Sequence, residues 1–145
     1  MSVLKEKRGE QKLEVLVKAK SLMGYILEIT KNEKTFTPAY EALTLDIIHC
    51  AEDIYINLYS ANEVYLSKQN IELRKEYQNI AQAKCGALLA LLDLAQGLNH
   101  FSTKRIRFVN KIINGDESDK KGLKLLIQNW KQSDLKRVRN SKQDG

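Results

Sequence analysis

The best-spaced metal candidate in the sequence is Asp46 with His49, a carboxylate and an imidazole at i and i+3, with Asp53 one turn on. Di-iron bundles use such pairs, but they need two of them and further inward carboxylates. The other histidine, His100, has Gly97 at that offset. Asp46, His49 and Asp53 also fall on the face away from Ile47 and Ile54, which reads as a solvated stripe. No metal or cofactor is expected. The chain has no Gly-rich phosphate loop, no C-x-x-C and no nucleophile–base pattern, so no catalytic residues and no enzyme are expected. Cys50 and Cys85 lie on apolar stretches and read as free core thiols in a reducing, cytoplasmic setting.

The basic residues are more informative. Lys104, Arg107 and Lys111 share one helical face opposite Ile106, Val109 and Ile113, and Arg105 flanks them. A second group follows in Lys131, Lys136, Arg137, Arg139 and Lys142. Such cations suit the phosphates of RNA or DNA and carry no base specificity. They also read as a solvated helix face with a basic tail. Charge is unevenly placed. Residues 1–20 carry 6 Lys/Arg against 3 Asp/Glu, residues 21–100 carry 6 against 10, and residues 101–145 carry 12 against 5. A mildly acidic body with basic ends suggests a polyanion partner.

The elements that position these residues are helices. Among 145 residues there are only 7 Gly and 1 Pro, too few for the turns of a sandwich or barrel. Helix one is expected over 11–30, after a polar segment 1–10. Leu13, Leu16, Val17, Met23 and Leu27 form one apolar stripe on it, and Val15, Ala19, Leu22, Ile26 and Ile29 form a nearly opposite one. Two stripes imply burial on two sides, so Val15, Leu22, Ile26 and Ile29 are expected at an oligomer interface.

Helix two is expected from Thr37 as cap and Pro38 as first residue to Leu66. Its core face would be Leu43, Ile47, Ala51, Ile54, Leu58, Ala61 and Tyr65. Ile48, Tyr55, Tyr59 and Leu66 would form a second interface stripe or the border of the core. Helix three is expected over 71–96 with Leu73, Tyr77, Ile80, Ala81, Leu88, Leu91 and Ala95 inward, Lys84 meeting a carboxylate or snorkelling, and Gly97 closing it.

Helix four would start at Ser102, break over 114–119, and resume near Gly122 with Leu123, Leu126, Ile127 and Trp130 on one side. Residues 132–145 read as a basic flexible tail. The charged N-terminus has no apolar stretch of the secretory type, and no apolar run approaches a membrane span. The fold expected is all-α, an antiparallel up-down four-helix bundle over 11–131.

Three stretches carry a resemblance. YEALTLDIIHCAEDIYINLYSAN (40–62), ALLALLDLAQGLNHFS (87–102) and KLLIQNW (124–130) resemble the second, third and last helices of the four-helix-bundle family of the diversity-generating retroelement accessory variability determinant. The related proteins encoded in ribosomal RNA intervening sequences share the bundle. Two departures stand out. Asp93 precedes Leu94-Ala95 where the family often has Arg, and residues 114–121 look like an insertion. The resemblance implies a ring-like homopentamer that binds a reverse transcriptase and nucleic acid through a basic surface and supports mutagenic cDNA synthesis. The intervening-sequence proteins imply the alternative, a structural bundle with no polymerase partner.

Overall fold

The computed structural model describes residues 2–32, 36–99, 102–118 and 120–143. Helices α1 (Ser2–Thr30), α2 (Glu41–Glu63), α3 (Ile71–Asn99), α4 (Thr103–Asn114) and α5 (Leu123–Gln143) pack together, with no strand among the described residues. Helix α1 packs on α2, α2 on α3, α3 on α5 and α5 back on α1, and the short α4 rests against α1, α3 and α5. No described helix is long and apolar enough to cross a membrane.

Core residues recur in alternating steps of four and three. They are Val15, Ala19, Leu22, Ile26 and Ile29 on α1 and Ile47, Ala51, Ile54, Leu58 and Ala61 on α2. Leu123, Ile127 and Trp130 follow the same rhythm on α5. That spacing is a heptad seam, which keeps one face of each helix toward its neighbours. It corrects the expectation for α1. Val15, Leu22, Ile26 and Ile29 fill the chain's own core and are not presented to another subunit. The opposite stripe divides: Leu16 is buried in the core and Met23 half-buried against it, while Leu13 61%, Val17 54% and Leu27 47% are accessible.

On α3 the inward face is Ile71, Arg74, Gln78, Ala81, Cys85, Leu88, Leu92 and Ala95. Leu73 and Ile80, expected inside, are exposed, and Tyr77 and Leu91 are half-buried. Two polar residues hold core positions because a partner meets them there. Arg74 Nε and Nη2 donate to the two carboxylate oxygens of Asp134 at 2.7 and 3.0 Å, and Gln78 Nε2 donates to Oδ2 at 2.9 Å. Arg74 Nη1 also donates to the Val64 carbonyl at 3.0 Å, and the guanidinium lies 5.1 Å from the Trp130 ring centroid. A buried charge is tolerated only when paired and hydrogen-bonded in this way.

The same network accounts for two revisions of the expected boundaries, at the end of α2 and in the C-terminal segment. Helix α2 stops at Glu63, not Leu66, because Val64 turns extended and its carbonyl is held by Arg74. Tyr65 is therefore 81% exposed and no core residue. Residues 132–143, expected as a flexible tail, are the second half of α5, with Asp134 only 2% exposed. Residues 2–10 continue α1 as backbone helix where a polar extension was expected.

Connections follow local chemistry. The chain makes a 3-10 turn over Pro38–Tyr40 before α2, and the Thr37 side chain caps nothing. Phe36 tucks into the core beneath that turn. Gly97 lies inside α3, so the left-handed closure expected there does not occur. Among the described residues the positive-φ glycine is Gly115 (φ 80°), at the end of α4. Lys84 meets Asp53 at 3.3 Å, as its place on α3 required. Cys50 and Cys85 are free and buried, and Cys50 Sγ donates to the Lys84 carbonyl at 3.3 Å. Burial pushes the Cys85 thiol up to about 12 and raises that of Cys50.

Candidate nucleic-acid interface

Helix α4 is pinned at its start and on its inner side. The Ser102 side chain accepts from the Lys104 backbone N–H at 3.2 Å, satisfying one of the unpaired donors of the first turn. Gln96 on α3 donates to the Thr103 hydroxyl at 2.7 Å. Val109 and Ile113 are fully buried and Ile106 half-buried. Helical geometry then turns Lys104, Arg107 and Lys111 outward, where they are exposed, with Arg105 half-buried beside them.

All four cations line one open groove of about 620 Å³ between α4 and the end of α1. Tyr25, Glu28, Ile29, Ser102 and Phe108 complete its walls. The Tyr25 and Phe108 rings meet with centroids 4.5 Å apart and planes tilted 45°. Glu28 is drawn to Lys31 at 2.9 Å, and Lys111 to Asp116 at 3.0 Å. Reading by charge missed both aromatics. Phe108 was signalled by its place in Lys104-Arg105-Ile106-Arg107-Phe108, where an aromatic interleaves with cations. Tyr25 lies on another helix and gave no such signal.

The second basic group is placed elsewhere. Thr103 lies by Gln96 and Asp134 by Arg74, positions 22 residues apart on α3, which is about 33 Å along a helix. Lys136 and Arg139 are exposed there, and Arg137 borders a small cavity with Leu66, Ser67, Val138 and Ser141. Lys131 is different. It is half-buried, and its ammonium donates to Gln82 Oε1 at 3.2 Å and Gln128 Oε1 at 3.4 Å. Burial, and then the nearby Lys75, lower its pKa. It fastens α5 to α3 more than it presents charge. The side chain of Lys142 and His100 lie outside the described residues.

The remaining candidates are dispersed. Ile48, Tyr55, Tyr59 and Leu66 are half-buried, and the two tyrosine rings sit 4.6 Å apart on α2. Asp46 and His49 are exposed, and Asp53 is occupied by Lys84. No group of three or more His, Cys, Asp or Glu converges among the described residues. No protein-family model, curated protein or solved structure matches the chain.

Proposed function

We propose that this chain is a non-catalytic, nucleic-acid-binding accessory protein of a diversity-generating retroelement. In this reading it is an antiparallel four-helix bundle in which α4 and α5 share the fourth position. It acts as a homo-oligomer, pentameric by the resemblance, beside a reverse transcriptase that holds the catalytic metals. The observation that carries the reading is the α1–α4 groove, where Lys104, Arg105, Arg107 and Lys111 surround an aromatic pair. Cations held on a packed helix contact phosphates at little ordering cost, and each contact releases condensed counterions.

The test is a salt titration of RNA and DNA binding on wild type and on a variant with the α4 row reversed in charge. Affinity should fall by ~0.7–0.9 log units per log unit of salt for each phosphate contact, and the variant should lose most of that slope. A folded variant with unchanged affinity and slope removes this surface as the site. Co-purification with the product of a neighbouring reverse transcriptase gene tests the partner. Failure of that arm alone turns the reading toward the intervening-sequence type of bundle.

A further inference from the structure

We infer that the α1–α4 groove takes an unpaired nucleotide from a single strand, with its base on the Phe108 ring and the flanking phosphates on Lys104, Arg105 and Arg107. The inference rests on the nucleic-acid reading and adds which form of nucleic acid the groove accepts.

Three observations lead to it. First, Phe108 stands among the cations and is 46% exposed, although it leans on Tyr25. A large ring left half in water inside a groove has an open face, and every base has a π-face to offer it. Bases in a duplex are stacked on one another, so only a base that has left the stack can lay its face on the ring. Second, the groove holds about 620 Å³, room for a base and its sugar. From Lys104 to Lys111 the row runs about 10 Å, enough to reach the phosphates on either side of one unstacked nucleotide. Third, the charge of Glu28, the carboxylate in the described lining, is met by Lys31 at 2.9 Å.

The chemistry therefore divides. The cations give salt-dependent affinity for any phosphate chain, and Phe108 adds a salt-independent increment when a base is free to stack. Tyr25 backs the ring and holds its angle.

Four probes separate these contributions: short oligo(dT), an abasic oligomer of equal length, a duplex of equal length, and polyglutamate. Wild type is expected to bind oligo(dT) more tightly than the abasic strand by roughly 5- to 150-fold, the value of one stacked base, with equal salt slopes. Phe108→Leu should bring oligo(dT) down to the abasic level without changing the slope, and Phe108→Tyr should keep the preference. Circular dichroism checks that each variant folds, and the abasic comparison on wild type needs no variant. Equal binding of abasic and normal strands overturns the inference, as does a duplex bound as tightly as oligo(dT). Effective competition by polyglutamate also overturns it. If these fail while reversal of the cation row still lowers affinity and slope, the phosphate reading stands without the stacked base. If row reversal changes nothing, both fall.

Discussion

Asp134 shows how much one residue can hold. Its carboxylate accepts two bonds from Arg74 and one from Gln78 in a site closed to water. Asp134→Ala leaves a guanidinium buried without its counter-charge, and the expected loss is about 3–5 kcal/mol in urea unfolding. Replacing both members, Arg74→Met with Asp134→Leu, should restore most of that stability, because the cost lies in the unpaired charge. In the sequence Arg74 and Gln78 look like surface residues, and the partner that admits them to the core lies 60 residues away. No helical periodicity connects the two. Cys85 gives a second expectation. Its thiol ionises near 9 in the unfolded chain and at about 12 in the fold, so burial favours the neutral form. Its stabilising contribution is whole below pH 9 and declines as pH rises from about 9 to about 12, by about 1.4 kcal/mol per unit. Unfolding measured across that range should be steeper in wild type than in Cys85→Val.

At the scale of elements, α5 and the turn before it are where the chain departs most from its surface pattern. Truncation after residue 131 should lower the urea midpoint about as much as Asp134→Ala, whereas removal of a mobile tail would leave it unchanged. In the turn, a Cβ on Gly122 would run into the backbone of Asn114 and Gly115. Gly122→Ala should therefore cost about 1–3 kcal/mol and loosen the α4–α5 junction, seen as faster amide exchange there. Some elements were legible from spacing alone. Ile47, Ala51, Ile54, Leu58 and Ala61 on α2, the Ser102 cap, and Val109 with Ile113 on α4 are where their pattern put them. Helix α3 was not, because leucines and tyrosines lie on several sides of it and the true seam contains two polar residues. Helix α1 offers two stripes of similar apolarity, and only the neighbours decide which is inside. The cations lining the groove were legible as a row on one helix. Tyr25 was not, since it reaches the groove from a helix some 80 residues earlier.

For the whole molecule, the exchange of the two α1 stripes changes what an assembly would use. Val15, Leu22, Ile26 and Ile29 are spent inside, and Leu13, Val17 and Leu27 are left facing outward along one helix. The proposed homo-oligomer should bury these outward side chains, Leu13 with Val17 one turn on, and Leu27 beyond the exposed Lys20 and Gly24. Light scattering should give a multiple of 16.6 kDa at micromolar concentration. Val17→Glu should reduce it toward the monomer without loss of helicity, and Val15→Glu should unfold the chain, placing a charge where the core admits none. A monomeric mass for wild type would leave the stripe without this use. Oligomerisation would also repeat the α4 row around an axis, so that weak contacts add through effective concentration.

The sole tryptophan of the chain, Trp130, lies under the Arg74 guanidinium at the place where α5 meets α3. The molecule thus carries its own optical reporter of that one junction. Its emission should shift to the red as soon as α5 lifts away, while far-ultraviolet ellipticity sums all five helices and responds to each in proportion to its length. Coincident melting of the two signals would describe a single cooperative unit. Emission that moves first would describe a hinge between α5 and the rest, opening before the core yields.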